Sequence, residues 1–253
     1  MTRRTMTTMV MAALMATTSL AAQAHMMAGI DNVGNLVRFS DRRPHVVETF
    51  PITGTSARIV GIDVRQRDNQ LYGLASDGTI YVIDSTSGRA TFRARLSQGF
   101  DRVGVVDFDP DDDRLYVLTE DGRAVRVNID TGEVVELMSG SPAMFGPRNL
   151  SAGGFTATRF FAVDSTQMVL FHQPASSEAP MSTMRRDISL TGGTEDLRGG
   201  DVYTDPNGNQ AMYIVRGSRL FKIDLSTGQI ILLGQVGTVE SLRLIDVAVT
   251  QPE

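Results

Sequence analysis

A repeat of 44 residues is the feature that most constrains the fold of this chain. Two copies align without a gap, and their shared landmarks are Asp63 and Asp107, Asp77-Gly78 and Asp121-Gly122, and Gly88 and Gly132. A third copy runs through residues 200–228, and a fourth, degenerate copy is centred on residues 160–171. A repeat of this length is typical of a unit that cannot bury both of its faces alone, so copies must stack on one another.

Within each copy, four short apolar or alternating runs are separated by turn residues, which predicts a four-stranded meander. Asp77-Gly78 lies between the second and third runs, where a two-residue hairpin needs positive φ. Ser87-Gly88 does the same between the third and fourth runs. The 24 glycines and the absence of Trp also favour turn-rich β structure over long helices. Each copy therefore reads as one blade of an all-β propeller.

The N-terminus predicts an export signal. Arg3 and Arg4 precede an apolar stretch over residues 9–22, and Ala22-Gln23-Ala24 closes it as a cleavage site. The stretch is too short and too interrupted by polar residues to serve as a resident membrane span. We expect residues 1–24 to be a signal peptide and residues 25–253 to form one domain. The product would act in the periplasm or the extracellular medium.

Five blades fit the 229 residues that remain after cleavage at a period of 44. Residues 242–249 resemble an opening strand, but no further strands follow them. Residues 35–39 and 45–50 resemble third and fourth strands that lack a first. We therefore expect the two ends of the chain to share one blade, which would close the ring and remove exposed sheet edges.

The chain resembles the exported bacterial proteins that carry the domain of unknown function numbered 4394. The resemblance rests on segments at residues 36–39, 51–54, 60–63 and 70–74, and above all on Val106-Asp107-Phe108-Asp109-Pro110 with Asp113-Arg114 and residues 126–128. It covers most of the mature chain, strongly to about Gly132 and less well beyond. It implies a propeller-like, exported protein, and it supplies no catalytic residue.

Four opening strands carry an acid at what reads as a matching place: Asp63, Asp107, Asp201 and Asp246. If these carboxylates converge on the propeller axis, their repulsion would favour a bound divalent cation such as calcium. The alternative is that each Asp caps the turn after its own strand. The run of acids at 107–113 lacks the Gly of a calcium-binding loop and is interpreted mainly as a solvated turn.

Composition excludes some functions and leaves others open. The net charge of −5 argues against nucleic-acid binding, and the absence of Cys means that no disulfide is needed for folding. The mature chain has only His25, His45 and His172, and no hydrolase or phosphate-loop motif, so no catalytic residue is assigned. A metal-dependent propeller enzyme of the lyase or lactonase type, using the axial carboxylates, remains an alternative. A structural role in the cell envelope is another.

A binding scaffold is the function that the sequence favours, because propeller loops vary without disturbing the core. Two long connections, residues 139–150 and 189–200, are expected on one face. The candidate partner-binding residues in them are Phe145, Arg148, Asn149, Glu195, Asp196 and Arg198. Exposed aromatic and Arg side chains are typical of contact sites. We expect a monomer that binds another protein or an extracellular ligand, with no resident cofactor other than a cation.

Overall fold

The computed structural model describes residues 24–100, 102–120, 123–137, 150–174, 184–188, 196–239 and 241–250. The structure of these residues is all-β. Their strands are β1 (Met26–Asp31), β2 (Asn35–Ser40), β3 (Arg43–Pro51), β4 (Ile59–Arg65), β5 (Gln70–Ala75), β6 (Thr79–Ile83), β7 (Ala90–Arg95), β8 (Val103–Asp109), β9 (Arg114–Thr119), β10 (Ala124–Asn128), β11 (Glu133–Leu137), β12 (Leu150–Phe155), β13 (Arg159–Asp164), β14 (Val169–Pro174), β15 (Met184–Asp187), β16 (Leu197–Thr204), β17 (Gln210–Arg216), β18 (Arg219–Asp224), β19 (Ile230–Gln235) and β20 (Leu244–Thr250).

These strands form five four-stranded antiparallel sheets, which confirms the predicted five-bladed propeller. Blade 1 contains β4 to β7, blade 2 contains β8 to β11, blade 3 contains β12 to β15, and blade 4 contains β16 to β19. Blade 5 contains β20, β1, β2 and β3 in that order. The first strand named for each blade is the inner strand, next to the propeller axis. No helix in the described part of the chain is long and apolar enough to cross a bilayer.

The hairpin turns lie where the repeat pattern predicts them. Gly78, between β5 and β6, has φ of 82°, and Gly88, between β6 and β7, has φ of 73°. At Gly78 a side chain is also excluded by crowding, because a Cβ atom would lie 2.1 Å from the carbonyl oxygen of Gln98. Positive φ and close backbone approach together explain why glycine follows Asp77 here.

The apolar core of the described residues consists of five clusters, one at each junction between neighbouring blades. Alternation along each strand produces this arrangement, because successive side chains point to opposite faces of a sheet. On β5, for example, Tyr72 and Leu74 pack toward blade 2, whereas Leu71 packs toward blade 5. Each blade therefore buries both of its faces only when it has a neighbour on both sides.

The two ends of the chain meet in blade 5, as predicted. β20 pairs with β1 from Met26 opposite Thr250 to Ile30 opposite Asp246. The repeat pattern does not reveal β1, the second strand of this blade, because Met27, Ala28 and Gly29 lack the Leu-Tyr-Gly sequence of β5. The closure is therefore made by three N-terminal strands and one C-terminal strand.

A buried ion-pair network joins blades 1 and 2. The guanidinium of Arg65, 5% exposed, donates two hydrogen bonds to Asp113, of 2.8 and 2.6 Å, and a third to Asp130 at 2.9 Å. Asp113 ends the acidic run 107–113. Asp109 in the same run accepts a turn hydrogen bond from the backbone of Asp111 at 3.0 Å. The run is thus a tight turn whose last acid neutralises a buried arginine, and only its middle residues are solvated.

Candidate axial binding site

The inner strands of all five blades line two cavities at opposite ends of the axis. The larger, about 490 Å³, is lined by the ends of these strands and is called here the acidic cavity, because its lining includes Asp63, Asp107 and Asp201. The smaller, about 380 Å³, is lined by the beginnings of the same strands. It is called here the arginine cavity. Each cavity therefore draws its lining from every blade.

Asp63, Asp107 and Asp201 occupy equivalent places in their blades. In the register of the sheets they lie opposite Tyr72, Tyr116 and Tyr213, respectively, on the second strands. All three are buried, with at most 7% of their surface exposed. One carboxylate oxygen from each of the three lies within 4.8 Å of the other two. Equivalent positions around a ring bring the acids together, although they are far apart in sequence.

Each of these carboxylates also accepts a hydrogen bond from the backbone of the next blade. The lengths are 2.6 Å from Phe108 N to Asp63, 2.8 Å from Phe155 N to Asp107, and 2.6 Å from Val249 N to Asp201. Asp63 also accepts a hydrogen bond of 2.7 Å from the backbone nitrogen of Val64, the next residue of its own strand. The acids thus converge on the axis and also join neighbouring blades. The backbone groups that they bind lie in strands and not in the turns after their own strands, so capping of those turns is not what these contacts show.

The ring of acids is interrupted in blades 3 and 5. Gly154 stands at the equivalent place in blade 3, opposite Phe161, and Ala248 stands there in blade 5. A Cβ atom on Gly154 would lie 2.6 Å from Oδ2 of Asp107 and 2.9 Å from the nitrogen of Val202. The carboxylate of Asp107 therefore occupies the space that a side chain at position 154 would need.

The expectation that Asp246 matches the other three acids is wrong by two residues. Ala248 is the matching residue, and Asp246 lies earlier on β20, opposite Ile30. From there its carboxylate accepts hydrogen bonds from Ile62 N at 2.8 Å and Gly200 N at 3.1 Å, the residues that precede Asp63 and Asp201. It also accepts a hydrogen bond of 2.9 Å from the backbone nitrogen of Val247. The sequence Ile245-Asp246-Val247 matches Ile62-Asp63-Val64, and this local match hides the offset from a comparison by residue type.

Burial raises the pKa values of all four acids. It raises the pKa of Asp201 to about 7 and that of Asp246 to about 8. The pKa of Asp63 is raised well above its ordinary value by burial and by the negative charge of Asp201. Burial and the charge of Asp63 act in the same way on Asp107. Protons or a bound cation would relieve the repulsion between these carboxylates near neutral pH.

A divalent cation fits the spacing of the three equivalent acids. For three oxygens no more than 4.8 Å apart there is a point no more than about 2.8 Å from each, and Ca²⁺–oxygen bonds are about 2.3–2.6 Å long. Contraction by at most a few tenths of an ångström would bring the oxygens to bonding distance. The remaining ligands of a calcium ion would be water or ligand oxygens in the cavity above, because calcium takes six to eight.

The walls of the acidic cavity contain apolar residues that were not identified as site residues from the sequence. Phe108 and Phe155, which donate backbone hydrogen bonds to the acids, line it together with Val202, Tyr203 and Val249. A signal was present for two of them, since Phe108 and Val202 directly follow equivalent acids in the repeat. A pocket with apolar walls and a few convergent polar groups is typical of small-ligand sites.

Most of the predicted partner-binding residues, Phe145, Arg148, Asn149 and Glu195, lie outside the described residues. Asp196 and Arg198 line the arginine cavity, together with Arg58 and Arg102, which were not predicted. Arg198 is a strand residue of β16 and not a loop residue as expected, and its guanidinium lies 3.6 Å from Glu120 and 3.7 Å from Asp196.

The fold is shared with solved structures of low sequence identity. A nidogen/laminin complex structure aligns with a TM-score of 0.58 at 10% identity, covering 90% of this chain and 98% of that chain. A protein of unknown function from Bacteroides thetaiotaomicron aligns with a TM-score of 0.53 at 19% sequence identity, and the alignment covers 91% of this chain and 68% of that chain. An auxiliary nutrient binding protein from the same organism aligns with a TM-score of 0.50 at 11% sequence identity, and the alignment covers 87% of this chain and 63% of that chain. A comparison with curated proteins finds no match.

The family is shown by a separate comparison. Residues 35–248 match the family model described as Domain of unknown function (DUF4394), which confirms the resemblance noted in the sequence. The match spans blades 1 to 4 and most of blade 5, including all four axial acids. This chain therefore belongs to the DUF4394 family.

Proposed function

We propose that this protein is an exported binding protein whose acidic cavity holds a divalent cation, such as calcium, and a small polar ligand above it. One observation carries the proposal: three buried carboxylates from three blades have oxygens within 4.8 Å of one another on the lining of a cavity of about 490 Å³. Backbone hydrogen bonds hold each carboxylate in place, so little reorganisation would be needed on binding.

Metal content and thermal melts test the proposal. We expect the protein purified from the periplasm or medium to carry about one Ca²⁺ per chain and to melt at lower temperature after treatment with a Ca²⁺-selective chelator, because bound ligand stabilises the folded state. The double variant Asp63→Asn/Asp107→Asn should carry no Ca²⁺ and should not respond to this chelator. Asp111→Asn, an exposed acid of the neighbouring turn, is the matched control. Equal metal content in the wild type and the double variant would overturn the proposal.

Export is supported by the sequence of residues 1–24 alone. The metal-dependent enzyme considered above would use the same carboxylates, and turnover of a substrate only by the cation-loaded protein would distinguish it from a binding protein. An envelope protein with a purely structural role would need neither cation nor ligand. The nutrient binding protein shares the fold alone, and this fold is compatible with a binding function.

The arginine cavity supports a second proposal, contact with a protein partner at the other end of the axis. Arg58 and Arg102 are exposed there. Phe145 and Arg148 belong to the connection between β11 and β12, which lies outside the described residues. The double variant Phe145→Ala/Arg148→Ala should melt like the wild type and lose a co-purifying partner, while Asp63→Asn/Asp107→Asn keeps it. Retention of the partner by the loop variant would contradict this second proposal.

A further inference from the structure

A second group of metal-binding atoms lies at the start of β1, beside the acidic cavity. The ring centroid of His25 is 4.6 Å from that of Tyr203, which lines this cavity. The backbone nitrogen of His25 is 3.0 Å from Oδ1 of Asp41, and Nδ1 of His25 is 2.9 Å from Oδ2 of the same carboxylate. The hydroxyl of Tyr213 is 2.9 Å from Nδ1 and 3.1 Å from Oδ2. The side chains of His25 and Asp41 are 14% and 10% exposed, and Tyr213 is fully buried.

The position of His25 in the sequence gives this group its importance. Cleavage after Ala24, as the signal peptide predicts, would make His25 the first residue of the mature protein, immediately before β1 begins at Met26. Its backbone nitrogen would change from an amide, which binds metals poorly, to an amine with a lone pair. An amino-terminal histidine can then chelate one metal ion through its amine and Nδ1.

The distances between the donor atoms suit coordination of one metal ion. Two ligands at right angles, each about 2.0 Å from a metal, lie about 2.8 Å apart, and two at the tetrahedral angle lie about 3.3 Å apart. The four measured distances, from 2.9 to 3.1 Å, fall between these values. The two nitrogens of His25 face the two oxygens of one carboxylate, so they point in the same direction.

We propose that the mature protein binds a divalent transition-metal ion, of which Cu²⁺ is the best fit, through the amine and Nδ1 of His25 and the carboxylate of Asp41. The hydroxyl of Tyr213 adjoins these ligands as a fourth polar group. This inference rests on cleavage after Ala24, and it does not depend on a cation in the acidic cavity.

The choice of metal follows from the donor atoms. Mixed nitrogen and oxygen ligands favour Cu²⁺ and Ni²⁺, and among divalent first-row ions copper binds such sites most tightly. The acidic cavity, with oxygens alone, favours hard cations such as Ca²⁺. Binding at His25 releases a proton whenever the free amine is protonated, since an α-amine has a pKa of about 7.7–8.0. The two sites should therefore differ in both metal preference and proton release.

Titration of Cu²⁺ into two forms of the protein tests the inference. One form is secreted from the full-length gene, with its N-terminus identified by mass spectrometry. The other is produced in the cytoplasm and keeps residues 21–24 before His25, behind an initiator Met. We expect the secreted form to bind one Cu²⁺ with nitrogen hyperfine couplings in its electron paramagnetic resonance spectrum. The extended form, which has the same side chains, should bind more than about a hundredfold less tightly, since loss of even an outer-shell partner costs about 10–100-fold.

Two substitutions in the secreted form complete the test. His25→Ala and Asp41→Asn should each weaken Cu²⁺ binding, whereas His45→Ala, at an exposed histidine of β3, should leave it unchanged. A mature N-terminus other than His25, equal affinity in the secreted and extended forms, or loss of binding in His45→Ala would each overturn the inference. An ion pair between the terminal ammonium and Asp41, without metal binding, would overturn it as well.

Discussion

Oδ2 of Asp246 accepts a hydrogen bond of 2.8 Å from the backbone nitrogen of Ile62, which joins the last strand of the chain to the inner strand of blade 1. Oδ1 of the same carboxylate accepts one from Gly200 in blade 4. A single buried acid thus connects blade 5 to both of its neighbours. The ring is closed by polar contacts at the axis as well as by the pairing of β20 with β1.

Removal of β20 should therefore abolish cooperative folding. A chain that ends at residue 240 would lose the inner strand of blade 5, and it would expose β1 and the apolar faces of blades 1 and 4. Thermal unfolding followed by circular dichroism is the measurement, and a chain that ends at residue 250 is the control. If the shorter chain melts cooperatively at the full-length temperature, closure by a shared blade is not what stabilises the ring.

Gly154→Ala should destabilise the protein by more than about 2 kcal/mol, because the added carbon would overlap Oδ2 of Asp107 and the backbone of Val202. Gly208→Ala is the control. Its φ of 83° costs about 1 kcal/mol, but no atom lies within 4 Å of the added carbon. Urea unfolding measures both variants, and equal losses of stability would contradict the crowding at Gly154.

Arg65→Met should cost about 1.5–3 kcal/mol, because Asp113 and Asp130 lose the hydrogen bonds from its buried guanidinium. Both carboxylates are partly exposed and keep Arg67 and Arg93 as partners, which limits the loss. Arg67→Met provides the comparison. Arg67 also contacts Asp113, at 3.0 Å, but its side chain is 69% exposed. Its replacement should therefore lower the free energy of unfolding by no more than about 0.5 kcal/mol. Similar free energies of unfolding for the two variants would show that the network does not hold blades 1 and 2 together.

Stability of the cation-free protein should fall as pH rises from about 4 to 8. An acid with a raised pKa binds its proton more tightly when folded, so its protonated form favours folding and its ionisation opposes it. The window extends from the ordinary pKa of 3.8 to about 7 for Asp201 and about 8 for Asp246. The opposite sign applies to Asp113 and Asp130, whose pKa values are lowered by hydrogen bonds from Arg65, so their contribution is lost below pH 3.8.

Thermal melts in the presence of a chelator, between pH 3 and pH 9, measure this dependence. We expect the highest melting temperature near pH 4, and Asp246→Asn should flatten the decline between pH 4 and 8 while Asp111→Asn leaves it unchanged. A change of 1 kcal/mol corresponds to about 2–4 °C in a domain of this size. A melting temperature that rises steadily from pH 5 to 8 without cation would contradict the raised pKa values.

The fold was predictable from the sequence to the extent that its repeats keep their turn residues. Asp77-Gly78 and Ser87-Gly88 determine where the hairpins of blade 1 lie, and the copy in blade 2 shares them, so blade number and strand order followed. Blade 3 kept only its apolar runs. The second strand of blade 5 was missed, because Ala28 and Gly29 carry little of the apolar alternation by which strands are recognised.

The candidate site was predictable only in part, because its geometry depends on contacts between blades. The repeat aligned Asp63, Asp107 and Asp201 correctly, and equivalent positions in a ring must converge. It could not reveal that Asp246 lies two residues before the equivalent position, nor that each of the three equivalent carboxylates would bind the backbone of the following blade. The contact of His25 with Asp41 and Tyr213 was also beyond sequence reasoning, since Tyr213 comes from blade 4, whereas His25 and Asp41 belong to blade 5.

Calorimetric titration of Ca²⁺ into chelator-treated protein at pH 7.5, compared between the wild type and Asp107→Asn, tests the central claim most directly. Asn keeps an oxygen to accept the hydrogen bond from Phe155 but removes the charge, so the fold should persist while the cation site is lost. The account predicts one site per chain of submillimolar affinity in the wild type and at least about tenfold weaker binding in the variant. No detectable binding to the wild type, or equal binding to both proteins, would contradict it.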